Sequence, residues 1–235
     1  MKKGKFFVLE GVDGSGKATQ TKLLVEALRR KRYRVEKIDF PQYTKVSAGL
    51  IENYLKGIYG SAREVGPYRA SIFYACDRYD ISFQIKKWLQ EGKIVISDRY
   101  IASNIGHQGG KLIQNKKAWH TYVNWLLDLE YHIFEIPKPD YTLILKISPK
   151  LSMSHSNKIT DAEKLKKRAS YLGDHKKQDI HEADKKHLAN TLKSYVEISK
   201  KFPGEYEIIE CEEGGNFLPI PAIHQKILTL VEGKI

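Results

Sequence analysis

The chain is 235 residues long, 41% apolar, and carries a formal net charge of +12 at pH 7 with a pI near 9.4. That length supports one well-cored domain without requiring two, and the composition excludes an intrinsically disordered chain. The charge favours polyanionic partners, nucleotides or nucleic acid, while two distant cysteines, Cys76 and Cys211, exclude a disulfide framework or a zinc site.

In chain order, the opening Met1-Lys2-Lys3-Gly4-Lys5 leads into an apolar run too short for a signal sequence. No window approaches a membrane span, so the expected setting is a reducing cytoplasm. That run reads as a strand and feeds Gly11-Val12-Asp13-Gly14-Ser15-Gly16-Lys17, followed by Ala18-Thr19 and a helix-forming segment. A strand, a glycine-rich turn and a lysine at the start of a helix form a phosphate cradle, the P-loop. The glycines let backbone N–H groups converge on oxyanions, the helix adds its positive end, and Lys17 adds a mobile charge. Ala18 stands where the motif usually has a metal-binding hydroxyl. Thr19 is turned about 100° away, so Mg²⁺ is expected to be held through water and carboxylates, with Asp13 contributing.

Leu24 and Leu28, flanked by Leu23 and Ala27, give the first helix an apolar stripe. Residues 34–39 read as a second strand stopped by Phe40-Pro41, and 70–90 as a helix ended by Gly92. Residues 94–96 read as a short buried strand running into Ser97-Asp98-Arg99-Tyr100. A helix is expected over 117–131 with Trp119, Val123, Leu126 and Leu127 at core spacing, then a strand over 141–147. A long helix over 180–200, a strand over Tyr206–Glu210 and a closing helix over 221–231 complete the pattern. Five strands separated by helical material predict an α/β fold with a five-stranded parallel sheet. No internal repeat or flexible linker appears, so residues 1–235 are expected to be one domain. Residues 152–177 are rich in Lys and Arg and poor in large apolar groups. They read either as a solvated face or as a mobile basic lid, and the phosphate cradle favours the lid.

Ligands in open α/β sheets lie beyond the carboxyl ends of the strands. That rule gathers the P-loop, Phe40-Pro41-Gln42-Tyr43, Asp98-Arg99-Tyr100 and the basic segment at one edge. Asp98 is placed to organise Mg²⁺-bound water, and Arg99 offers a planar fork for a phosphate. The alternative is a local Asp98–Arg99 ion pair.

With these motifs in order, the chain resembles the thymidylate kinases of the nucleoside monophosphate kinase group over nearly its whole length. The matching stretches are Gly11 through Lys17; Phe40-Pro41-Gln42-Tyr43; Phe73-Tyr74-Ala75-Cys76-Asp77-Arg78; Asp98-Arg99-Tyr100-Ile101-Ala102-Ser103-Asn104 with His107-Gln108; Pro137-Lys138-Pro139-Asp140; and Asp179-Ile180-His181-Glu182. The resemblance implies a three-layer P-loop NTPase fold with a lid, and the reaction ATP + dTMP → ADP + dTDP on the way to dTTP. It implies Mg²⁺ with ATP as donor, a cytoplasmic homodimer, and no membrane or nucleic-acid partner. ATP would be held by Gly11 through Thr19. Tyr74 would stack on thymine, with Phe73 as the neighbouring alternative. Arg78 and Asn104 would read the base, and Phe40, Pro41, Tyr43, Ser103, His107, Gln108 and His181 would line the dTMP site. Arg99 would clamp the acceptor phosphate, Asp13 would lie near that phosphate and the metal, and Asp98 would join the metal site. Asp179 and Glu182 match acidic residues that follow the lid. Because Gly14 stands where some relatives carry an arginine, the lid would supply the extra cation from Lys176 or Arg168. His155, His107 and His181 depart from the family's usual arginine and tyrosines. Two other readings remain open: a related pyrimidine nucleoside monophosphate kinase, and a catalytically weak nucleotide-binding protein.

Overall fold

The computed structural model describes residues 3–156 and 185–235. Five parallel strands form one sheet in the order β2-β3-β1-β4-β5: β1 Lys5–Gly11, β2 Val35–Asp39, β3 Ile94–Asp98, β4 Tyr141–Lys146 and β5 Tyr206–Glu210. The inner strands are nearly continuous runs of apolar residues because both faces are covered, as parallel sheets require. β1 is central. Its register sets Leu9 opposite Asp98 of β3 and Gly11 opposite Leu145 of β4. The three strand ends that carry chemistry therefore lie side by side.

The helices are α1 Lys17–Arg30, α2 Gly49–Lys56, α3 Ala62–Gln90, α4 Ile101–His107, α5 Lys116–Leu127, α6 Pro149–Ser156, α7 Lys185–Lys201 and α8 Ile220–Glu232. α1 packs with α8 and on the strands, while α4 packs on α7 and, with α3, against β1 and β3. Leu24 and Leu28 are fully buried, as the stripe on α1 predicts. A second, smaller core joins Ile51, Tyr54 and Leu55 of α2 to Val65 and Ala70 of α3, with Tyr43, Phe73 and Tyr74 partly buried against it.

Several elements differ from the sequence expectation. The helix expected over 70–90 begins at Ala62, where Ser61 and Glu64 form a reciprocal capping box. Gly66, at φ 74° and ψ 168°, then kinks it before Pro67, and this breaker hides the first turns from pattern reading. The helix expected over 117–131 is α-helical through Leu127 and continues as a π-helical turn over Asp128–Ile133, which brings Glu130 inward to full burial. A two-stranded hairpin, β6 Glu212–Glu213 with β7 Asn216–Phe217, and the short helices α2, α4 and α6 were not foreseen. Of the helix expected over 180–200, the described part is Lys185–Lys201. Among the described residues no helix is long and apolar enough to cross a membrane.

Candidate active site

The P-loop leaves β1 through Gly11, whose φ of 143° and close neighbours admit no side chain: a Cβ there would lie 2.6 Å from the Leu145 carbonyl oxygen and 2.7 Å from Ser15 Oγ. Gly16, at φ 91°, delivers the chain into α1. Lys17 is 7% exposed and folds back to donate from Nζ to the carbonyls of Gly11 and Val12, both at 2.9 Å. Burial, with repulsion from Arg99, lowers its pKa from 10.5 to about 8, against the pull of Asp13, Asp98 and Glu10. Thr19 is exposed, as its helical position predicts. Ser15 Oγ is buried without a hydrogen-bond partner among the described residues.

Arg99 follows β3. Its guanidinium does not settle into a local ion pair with Asp98; Nη2 pairs with Asp13 across the sheet edge, and Nη1 donates to Ser103 Oγ at 3.3 Å. Burial works against the charge, yet Asp13 leads a set of anionic neighbours that hold Arg99 firmly protonated. Asp13 also ties the loop to α6, because its carbonyl accepts from Ser152 Oγ at 2.6 Å. Two cationic groups thus flank one carboxylate at the ends of adjacent strands. Anionic oxygens are what this arrangement can hold.

The remaining candidates fall into two sets. Tyr74 and Phe73 are half-exposed and pack edgewise or tilted around Tyr54, with ring centroids 6.4 Å and 6.3 Å away. Others are engaged inside the fold. Phe40 turns into the main core against Tyr100, 6% exposed. Its share in the loop is therefore anchorage. Pro41 and Tyr43 follow on the half-buried side, and Gln42 N donates to the Asp77 carboxylate at 2.8 Å. Arg78 is 2% exposed and makes a doubly hydrogen-bonded pair with Glu130, at 2.5 and 2.6 Å. Asn104 Nδ2 donates to the Ser71 carbonyl at 3.3 Å, and Gln108 Oε1 accepts from Lys111 Nζ at 2.6 Å. His107 shares a 3.2 Å hydrogen bond with His187 on α7, and His155 is exposed beside Phe217. Arg168, Lys176, Asp179, His181 and Glu182, with most of the expected lid, lie outside the described residues.

Sequence reasoning missed Glu10, Glu130 and Lys111. Lys111, half-buried and without an acidic partner among the described residues, has its pKa lowered to about 8 by burial. All three sit in stretches that read as core or surface, and apart from Gln108 beside Lys111 their partners lie far off in sequence.

Comparison with known proteins places the chain in a family. The family model described as thymidylate kinase matches residues 9–216. A probable thymidylate kinase of Thermococcus kodakarensis is 30% identical over 232 residues, covering 97% of each chain. The thymidylate kinase of Plasmodium falciparum is 31% identical over 156 residues, covering 66% of this chain and 68% of that one. A solved thymidylate kinase from Candida albicans superposes with a TM-score of 0.68 at 23% identity, covering 98% of this chain and 92% of that one, which supports the fold. With a phosphate loop, an arginine reaching it from the neighbouring strand, and a family match spanning most of the sequence, the chain belongs to the thymidylate kinase family.

Proposed function

We propose that the family reaction, ATP-dependent phosphorylation of dTMP to dTDP, runs here between a donor site on the P-loop and an acceptor site around Arg99. The observation that carries this assignment is the Arg99–Asp13 contact, which brings a second cationic group to the edge where Lys17 and α1 already favour phosphate. A dTMP phosphate oxygen forms the new bond to the γ-phosphorus while the bond to the ADP oxygen breaks. The attacking oxygen is anionic near neutral pH, so no general base is needed, and the protein's task is alignment and charge neutralisation. Lys17 would exchange its two carbonyl contacts for phosphate oxygens. Gly11 through Thr19 would line the donor phosphates, and Arg168 and Lys176 are the proposed lid cations.

Mg²⁺ suits the hard oxygen donors of this edge, since it keeps several waters and needs only one or two carboxylates plus phosphates. Asp13 and Asp98, both near enough to steady the charge of Lys17, would hold it through water. When bound it would supply neutralisation of the donor phosphates.

On the nucleoside side, Tyr74, with Phe73 beside it, offers a half-exposed aromatic face to a pyrimidine. Pro41, Tyr43, Ser103, Asn104, His107, Gln108 and His181 complete the proposed dTMP site, with Arg78 reading the base from its pair with Glu130. A coupled ADP assay with a panel of nucleoside monophosphates tests the whole assignment. Turnover should be fastest with dTMP; equal turnover with other pyrimidine monophosphates would favour the broader kinase, and none would favour a nucleotide-binding protein.

The two thiols, Cys76 and Cys211, are unpaired, which suits a reducing cytoplasm. A homodimer is supported by α3, where Tyr68, Ile72, Tyr79 and Phe83 form an exposed apolar stripe at helical spacing, 38% to 58% exposed. Equilibrium sedimentation should give twice 27.1 kDa, and Phe83→Glu should return the single-chain mass. A dissociated wild-type protein at micromolar concentration would count against the dimer.

A further inference from the structure

Glu10 stands one residue before the P-loop, fully buried in β1 in a run of apolar residues. Both carboxylate oxygens are used. Oε1 accepts from the Tyr100 N–H at 2.7 Å and the Ser103 N–H at 2.9 Å. Oε2 accepts from Ser103 Oγ at 2.7 Å and from the Tyr195 hydroxyl of α7 at 3.1 Å. Burial raises the pKa of the carboxyl; Arg99, the hydrogen bonds from Ser103 and Tyr100, and Lys17 oppose that rise.

Three of these four bonds come from Tyr100 and Ser103, which follow Arg99 in the chain. Arg99 has a φ of 71°, in the left-handed region that residues with side chains seldom occupy. Such a backbone persists only where its surroundings over-determine it. Here the Arg99 N–H donates to the Leu9 carbonyl at 2.9 Å, its carbonyl accepts from Ser97 Oγ at 2.6 Å, and the next N–H is taken by Glu10. Ser103 links the two groups directly, accepting from Arg99 Nη1 and donating to Glu10. A carboxylate is suited to this task because it accepts from every direction and makes charge-assisted bonds of about twice the ordinary strength.

We propose that Glu10 is a positioning residue for phosphoryl transfer: it fixes the backbone immediately after Arg99, and Ser103 beside its side chain, so that the guanidinium is held beside Asp13, ready for the acceptor phosphate. The proposal rests on the assignment of Arg99 to that phosphate. It gives the carboxylate preceding the P-loop a role on the acceptor side of the site, although the loop it precedes serves the donor.

Glu10→Gln tests it. The amide retains an oxygen for the two N–H groups but loses the charge and turns the Oε2 position into a donor. The expected result is a fall of about tenfold in kcat/KM for dTMP, with KM for ATP within about twofold. In an Arg99→Ala background, Glu10→Gln should cause no further loss, because it acts through the missing guanidinium. An equal loss for both substrates, or the same factor in both backgrounds, would overturn the proposal, as would a fall in melting temperature with unchanged kinetics. If Glu10→Gln fails to fold by circular dichroism, Tyr195→Phe runs the same cycle, since it removes one hydroxyl and no packing. It should lower kcat/KM for dTMP about threefold and only when Arg99 is present; no such split overturns the proposal. Should Arg99→Ala itself leave dTMP kinetics intact, the acceptor assignment fails and the Glu10 role fails with it. Should Arg99→Ala lose dTMP turnover while Glu10→Gln and Tyr195→Phe behave as wild type, only the positioning role fails.

Discussion

Lys17→Ala is expected to lose at least about 10²–10³ in kcat, taking the loss of one preorganised donor to a developing oxyanion as the lower bound. Among the described residues the side chain donates only to the Gly11 and Val12 carbonyls and is not part of the apolar core, so the variant should fold normally. Its stability should not fall, because a buried ammonium is a burden to the free protein. With a pKa of about 8 against 10.5 for an ordinary lysine, the unfolded chain binds more protons between those values. The cost of the buried charge is therefore full below pH 8 and is relieved as pH rises toward 10.5. In the proposed donor site ATP would reverse this balance by surrounding Lys17 with anionic oxygens and raising its pKa. At pH 9, wild-type protein should take up protons on binding ATP, read as a buffer-dependent enthalpy in calorimetry, and Lys17→Ala should not. Single-turnover transfer near wild-type speed in Lys17→Ala would remove the P-loop from the chemistry.

The second large effect is expected from Arg99→Ala, with kcat/KM for dTMP down by about 10²–10³ on the same scale and ATP affinity little changed. The substitution leaves the Asp13 carboxylate, 27% exposed, without its guanidinium and facing the incoming phosphate. Like-charge repulsion then adds to the lost attraction. It also removes the repulsion that helps depress Lys17, so the ATP-linked proton uptake should shift to higher pH in this variant. Unchanged dTMP affinity together with lost ATP binding would reverse the donor and acceptor assignments.

What the sequence disclosed follows the range of the forces involved. The strands, the glycine turn and the start of α1 are local: Phe6 through Lys17 contains the burial pattern, the backbone freedom and the charge within one stretch. Asp98 and Arg99 were legible because a short buried strand fixes where its end must lie. The side-chain pairs that complete the site were not. Arg78 is matched by Glu130 only because a π-helical turn, invisible to a 3.6-residue period, turns that carboxylate inward. Glu10 reads as part of an apolar strand until residues 90 and more further on supply its donors. The start of α3 was hidden by Gly66-Pro67, where the backbone leaves helical geometry and interrupts the pattern.

The placement of β1 at the centre of the sheet also has a consequence for synthesis. Its hydrogen-bonding partners are β3 at Ile94–Asp98 and β4 at Tyr141–Lys146, while β2, made next, pairs among the described residues only with β3. A nascent chain thus presents two strands whose shared partner follows about 90 residues after β1 and about 60 after β2, which at roughly 5–20 residues per second is a wait of some seconds. The P-loop is unsupported for longer, because the backbone that crowds Gly11 belongs to Leu145. Phosphate binding therefore arrives late on the ribosome, and the apolar run that opens the chain is the segment most in need of protection before it does.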